Sequence, residues 1–133
     1  MTKSTQHVRE CTAAEARERR AQARTFLDVA EMVMSEEPRE AHVAAALAVL
    51  AGIAAADAIC GLNLKKWSRG LAHSQAVDLL NTVSGEGPAV ANHLRRLLDQ
   101  KNAVHYSPKL VTLDDAKSML RHALALVEAA DSY

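Results

Sequence analysis

The only tryptophan of the chain, Trp67, stands among Lys65, Lys66 and Arg69 in the segment NLKKWSRGLA. An aromatic ring on which a base can stack, flanked by cations that contact phosphate, is the combination with which many proteins bind single-stranded nucleic acid. The same residues can instead close one end of a helical bundle, with the indole packed on apolar side chains. Both interpretations of this segment stay open at this point.

A single carboxylate, Asp57, interrupts the apolar run AGIAAADAIC. Burying a charge is costly unless it is paired and hydrogen-bonded, so an unpaired carboxylate at this position is disfavoured. We therefore expect Asp57 to be buried and bonded to Lys101, His73 or Arg69. A catalytic acid is disfavoured, because no partner group is apparent from the sequence alone.

Several motifs that would indicate a cofactor or an enzyme class are missing from the sequence. There is no GxxxxGK[ST], GxGxxG, GxSxG or HExxH pattern, and the two cysteines form no CxxC. No two of the six histidines are four residues apart, so none forms the helical pair that often holds a metal; they are His7, His42, His73, His93, His105 and His122. The sequence thus predicts no metal and no cofactor.

The elements that must position these residues are helices. The chain has 133 residues, of which 26 are Ala and 16 Leu, against two Ile and four aromatic residues. Ala and Leu favour helices, whereas strands favour β-branched and aromatic residues. The formal net charge is zero, which disfavours a globally basic nucleic-acid binder but allows a local basic patch.

The apolar spacing predicts five helices. A capping box formed by Thr12 and Glu15 opens the first, and a central helix over residues 39–62 has no polar side chain from residue 43 to residue 56. Fourteen apolar residues are too few to span a bilayer. A short helix begins at His73 or Ser74, and the remaining two begin at Pro88 and after Thr112.

These elements predict an all-α fold, an antiparallel up-and-down four-helix bundle with one additional short helix. Residues 1–11 are polar and aperiodic, and we expect a flexible arm there, followed by one domain over residues 12–133. Because the first ten residues lack the apolar stretch of a secretory signal, we expect a cytoplasmic protein without membrane contact.

Residues 40–130 resemble the HEPN family of small helical bundles. The resemblance rests on the Ala-rich helix AVLAGIAAADAI, on His73 at the start of a short helix, on the block LRRLLDQKNAVHY and on the closing helix TLDDAKSMLRHALALVEAA. It implies a five-helix HEPN-like fold. Many members of the family are toxins that cut RNA at a metal-independent site shared by two subunits, and others are non-catalytic binding modules.

The nuclease members carry an Arg, a polar residue and, a few residues later, a His near the end of one helix. Here Lys101 stands in place of the Arg, Asn102 fits the polar position, and Tyr106 occupies the position of the His. His105 is one residue early, which turns it by about 100° around a helix, although it still shares a face with Lys101. Lysine also lacks the bidentate fork of arginine.

The resemblance therefore implies a non-catalytic module that binds a nucleic acid, a nucleotide or a partner protein of the toxin–antitoxin or nucleotidyltransferase-associated type. The residues expected to bind are Lys101, Asn102, His105, Tyr106, Asp57, His73, Arg69 and Trp67. One alternative is a metal-independent ribonuclease toxin that uses His105, Lys101 and Asn102. The other is a purely structural helical dimer.

We also expect a homodimer. An Ala-rich core is thin, and the apolar residues of the second and fourth predicted helices exceed what one narrow buried stripe needs. Symmetric pairing of one patch is the commonest way to bury such a surplus.

Overall fold

The computed structural model describes residues 8–69 and 73–133, which form six helices and a two-stranded sheet. The helices are α1 (Ala13–Val33), α2 (Pro38–Leu64), α3 (His73–Asn81), α4 (Gly87–Asp99), α5 (Lys101–His105) and α6 (Leu113–Asp131); the strands are β1 (Val8–Glu10) and β2 (Lys66–Ser68). The predicted all-α class is confirmed, with the small sheet as an addition.

Helix α1 begins with the capping box that the sequence predicts. The Glu15 backbone N–H donates to Thr12 Oγ1 at 3.1 Å, and the Thr12 N–H donates to Glu15 Oε1 at 2.9 Å. These two bonds satisfy backbone donors that the first turn of a helix leaves without partners. The buried face of α1 then consists of Ala16, Ala23, Leu27 and Ala30.

Helix α2 is the central element and packs against α1, α6, α4 and α5. Pro38 occupies its first turn, and the helix ends at Lys65, whose φ of 59° is left-handed. The sequence argument counted only the fourteen uninterrupted apolar residues, but the whole helix has 27 residues and is long and apolar enough to cross a membrane. In this structure, however, 72% of its most apolar window is buried within the protein. A core helix has this property as well.

Helices α1 and α2 are antiparallel and approach each other closely. Ala16 lies beside Gly61, and Arg19 lies beside Asp57. Increasing residue numbers along α1 are therefore matched by decreasing residue numbers along α2. A Cβ added at Gly61 would lie 2.9 Å from the Ala16 Cβ and 3.1 Å from Trp67 Cε3. Only glycine fits here, and the contact draws α1, α2 and the tryptophan together at one end of α2.

The predicted fourth helix is in fact two helices, α4 and α5, divided at Gln100. The Gln100 N–H donates to the Leu97 carbonyl in a tight turn that ends α4. The Gln100 carbonyl then accepts from the Val104 N–H in the first turn of α5. The predicted start of the last helix is confirmed, because the Asp115 N–H donates to Thr112 Oγ1 at 3.1 Å. The described residues thus contain six helices rather than five.

The two strands correct two further predictions. The sequence predicts a flexible arm over residues 1–11, but β1 pairs antiparallel with β2, with Arg9 opposite Trp67, and the Cys11 N–H donates to the Lys65 carbonyl at 3.0 Å. Residues 1–7 lie outside the described part of the chain. The segment around Trp67, expected to be a loop, is the second strand of this ribbon.

Candidate functional site

A cleft lies between the first half of α1, the second half of α2 and the β-ribbon. Its volume is about 780 Å³, within the range of small-molecule sites. It is lined by Arg9, Ala14, Glu15, Glu18, Arg19, Gln22, Ile53, Asp57, Trp67, Ser68 and Arg69. Three of the residues predicted to bind, Asp57, Trp67 and Arg69, are thus brought to one place.

Asp57 is buried, as predicted, but the partner seen in the structure is Arg19. Both Nε and Nη2 of Arg19 lie 3.0 Å from Asp57 Oδ2, and Arg19 Nη1 donates to Gln22 Oε1 at 2.9 Å. Burial raises the pKa of Asp57 to about 6, although the charge of Arg19 and its hydrogen bond oppose this shift. The carboxylate is therefore ionised at neutral pH but is close to its titration range.

Trp67 forms one wall of the cleft together with Arg9. The Arg9 guanidinium carbon lies 5.0 Å from the centroid of the indole ring, in the range of a cation–π contact. Arg9 also donates to Glu15 Oε2 at 2.8 Å. Because Arg9 and Trp67 are directly opposite each other in the ribbon, the guanidinium group of Arg9 is held over the indole ring.

The charges that line the cleft are balanced. Three guanidinium groups face three carboxylates: Arg9, Arg19 and Arg69, against Glu15, Glu18 and Asp57. Arg9 is paired with Glu15, and Arg19 with Asp57. An anion entering the cleft must therefore compete with a carboxylate that belongs to the protein.

A second group of predicted residues lies on α5 and at its end. Lys101 and His105 are one helical turn apart, Lys101 is half-buried, and Asn102 and Tyr106 are exposed. Among the described residues, His105 Nε2 is the only buried side-chain nitrogen or oxygen without a hydrogen-bond partner. Burial, and then the charges of Lys101 and His42, lower the pKa of His105. Its imidazole is neutral at pH 7.

Helix α5 is held in place by His42 of α2. His42 Nε2 donates to the Val104 carbonyl at 2.9 Å, and His42 Nδ1 accepts from the Val111 N–H at 3.1 Å. These two bonds fix the tautomer with the proton on Nε2. The sequence pattern did not single out this role of His42, because its two partners are 62 and 69 residues away along the chain.

The predicted site residues thus form two separate sites. His42, beside α5, and Asp57, in the cleft, are fifteen residues apart on α2, or about 22 Å along the helix axis. Lys101 is consequently not the partner of Asp57 that the sequence suggested. His73 begins α3, and its side chain lies outside the described part of the structure.

A histidine pair joins α4 to α6. His93 Nδ1 and His122 Nδ1 are 2.8 Å apart, so one of them donates to the other, and His122 Nε2 lies 3.4 Å from Ser118 Oγ. Burial lowers the pKa of His122, and His93, Arg96 and Arg121 lower it further. The pair shares one proton and links two helices. It was missed because its members are 29 residues apart.

Arg19 is also absent from the sequence prediction, although a signal for it exists. Arg19 lies three residues after buried Ala16 and four residues before buried Ala23. A charged residue at the spacing of the apolar face indicates a partner on the facing helix. Asp57, at an equally apolar position of α2, is that partner.

No protein-family model, no curated protein and no solved structure matches this chain. Across the described ranges, no group of three or more histidine, cysteine or acidic side chains is placed to hold a metal ion.

We predict that Arg19→Leu destabilises the protein by about 3–5 kcal/mol at pH 8, because it leaves the buried Asp57 carboxylate without a counter-ion. At pH 5 the loss should be much smaller. The folded-state pKa of Asp57 is already raised to about 6 and rises further without Arg19, so the native carboxyl is protonated there. Urea unfolding at both pH values measures this difference.

Arg17→Leu is the matched control, since Arg17 is exposed on the same helix. Its effect should stay within about 0.5 kcal/mol at either pH. An equal loss of stability at pH 5 and pH 8 for Arg19→Leu would show that the ion pair does not govern the burial of Asp57.

Proposed function

We propose that this protein is a non-catalytic, HEPN-like helical module that binds a nucleotide unit, free or within a single strand, in the cleft between α1, α2 and the β-ribbon. The observation that carries the proposal is the layer of Arg9 on Trp67 at the mouth of a cleft that also contains Arg19 and Arg69. A base and a phosphate are the two chemical groups that this combination recognises.

The base-binding part of the proposal depends on stacking. Nucleobases stack on aromatic rings and on the planes of arginine guanidinium groups, and each such contact contributes about 1–3 kcal/mol. Trp67 packs against Gly61 of α2 and carries Arg9 above it. A base can therefore extend this stack on the guanidinium of Arg9 or replace it on the indole.

The phosphate-binding part depends on the guanidinium groups. Arginine presents its donors in a planar fork that matches two oxygens of a phosphate. Arg19 is oriented by Gln22 through its Nη1, and Arg69 stands one residue beyond the end of β2. Since the protein has no net charge, this local set of cations, rather than a general attraction, would hold the ligand.

A metal-independent ribonuclease at α5 is the second candidate function. It is favoured by one observation, the unpartnered Nε2 of His105 one turn from Lys101. Against it stand the missing arginine fork and Tyr106, which is 76% exposed and turned away from the core.

We further propose that the protein is a homodimer formed through α2. The uncovered side of this core helix is a stripe of apolar residues at helical spacing, Val43, Leu47 and Leu50, of which Val43 is 48% exposed and the other two half-buried. A second copy presents the same stripe and buries it by two-fold symmetry. A partner protein of the toxin–antitoxin or nucleotidyltransferase-associated type would compete for the same stripe.

We predict that AMP and a ten-residue oligouridylate both quench the fluorescence of Trp67, the only tryptophan, in low-salt buffer at pH 6. Stacking against the indole, or displacement of Arg9 from it, changes the surroundings of the emitter. Arg69→Ala should weaken binding of both ligands by about tenfold, the effect of losing one charge-assisted contact.

Arg95→Ala serves as the matched control, because Arg95 is exposed on α4 and bonded to Asn92. It should leave both affinities unchanged. If neither ligand alters Trp67 emission at concentrations up to the millimolar range, the cleft is not a nucleotide site.

We predict no metal-independent cleavage of single-stranded RNA above background, because the cation and the imidazole at α5 lack the placement that proton transfer requires. The assay compares the wild-type protein with His105→Ala in the presence of a chelator. Cleavage that disappears in His105→Ala, with the helical circular dichroism unchanged, would establish the ribonuclease instead.

We predict that Leu50→Glu converts the dimer to a monomer, since it places two like charges at the centre of the proposed interface. Sedimentation equilibrium should then give 14.4 kDa for the variant and twice that mass for the wild-type protein. Met32→Glu, at an 81% exposed position of α1, should remain dimeric. A wild-type mass of 14.4 kDa at high concentration contradicts the dimer.

A further inference from the structure

In the Arg19–Asp57 pair, the carboxylate of the protein occupies the guanidinium edge at which an external anion would bind. Two donors of one guanidinium edge, Nε and Nη2, converge on the single oxygen Oδ2 of Asp57, each at 3.0 Å. This edge is the part of arginine that binds two oxygens of a phosphate at once. The carboxylate uses only one oxygen where a phosphate would offer two.

We propose that a phosphate group enters the cleft by exchange, taking the place of the Asp57 carboxylate on Arg19 while Asp57 takes up one proton. The inference rests on the proposed function, because it concerns the same cleft, and it names the chemical class of the ligand as a tetrahedral dianion. It also makes Asp57 a residue that controls binding without being the principal contact.

The surroundings of Asp57 favour its protonated form once its carboxylate has left Arg19. Asp57 is 8% exposed and lies on a strongly apolar helix, so once its carboxylate leaves Arg19 little solvent contact remains to stabilise its charge. Burial already raises its pKa to about 6 against the effect of Arg19. Loss of the pair therefore favours protonation, and the balance is one proton taken up for each dianion bound.

Other charged and titratable groups surround the cleft. The described groups that line the cleft with Asp57 or interact with it electrostatically are Glu15, Glu18 and Arg19 of α1, Arg9 of β1, Arg69 after β2, Cys11 before α1 and Cys60 of α2. Arg9 is engaged by Glu15, and burial raises the pKa values of Cys11 and Cys60, which keeps both thiols neutral.

Orientation of the guanidinium survives the exchange. Gln22 holds Nη1 of Arg19 at 2.9 Å independently of Asp57. Arg19 is part-buried between α1 and α2, so its donor edge stays directed at the cleft when the carboxylate departs. An incoming dianion thus meets a preorganised fork, which reduces the ordering cost of binding.

Sulfate is the best probe, because it is a tetrahedral dianion that does not titrate between pH 5.5 and pH 8. Isothermal titration calorimetry in two buffers of different ionisation enthalpy gives both the affinity and the number of protons taken up. We expect uptake of close to one proton at pH 8. We also expect the affinity to weaken about tenfold for each pH unit above about 6.

Asp57→Asn removes the competing charge while keeping the shape of the side chain. It should bind sulfate equally at pH 5.5 and pH 8, without proton uptake, and at pH 8 more tightly than the wild-type protein by at least tenfold. Asp28→Asn, an exposed carboxylate on α1, should keep the wild-type pH dependence. Thermal circular dichroism confirms that both variants are folded.

The outcomes separate the exchange from the function on which it rests. Wild-type affinity for sulfate that is the same at pH 5.5 and pH 8, or proton uptake that persists in Asp57→Asn, overturns the exchange even if AMP still quenches Trp67. Failure of sulfate to bind at either pH also overturns it. Absence of any Trp67 response to AMP or oligouridylate contradicts the nucleotide site itself.

Discussion

The burial of one carboxylate on an otherwise apolar helix constrains the rest of this structure. Asp57 can stay ionised inside α2 only with a cation directly beside it, because the cost of an unpaired buried charge is several kcal/mol. Arg19 supplies that cation and thereby fixes the register of α1 on α2. Gly61, one turn further along, lets the two helices approach closely enough for the pair to form. The same approach brings Trp67 of the β-ribbon against Gly61, so the ribbon and the two helices together line the cleft.

The alanine content of α2 explains both the closeness of the packing and the surface that it leaves. Small side chains allow α1, α4 and α6 to lie close to the central helix, but they bury little area for each residue. The helices therefore do not cover α2 completely, and Val43 and Leu50 remain on an open side. The apolar surplus visible in the sequence is this uncovered stripe rather than a thicker core.

The sequence predicted what local chemistry determines and missed what depends on distant contacts. The caps at Thr12 and Thr112 follow from a hydroxyl placed three residues before a free backbone N–H. The burial of Asp57 follows from its apolar neighbours, but its partner is 38 residues away, and no local rule selects Arg19 over Lys101. The β-ribbon has strands of three residues with little β-branched content, too short for an alternating pattern to be recognised.

The distance between the α5 site and the cleft determines which residues can act on the same ligand. The imidazole of His105 lies at the opposite end of α2 from the cleft, so within one chain it cannot act on a ligand held by Arg19. In the proposed dimer, a two-fold axis near Leu50 runs the two α2 helices antiparallel and places the two Asp57 residues about 21 Å apart along them, seven residues on either side of the axis. A single strand that reaches both clefts would then bind through two linked nucleotides, and this linkage raises the affinity of the strand without any new contact. A free nucleotide would instead occupy each cleft independently.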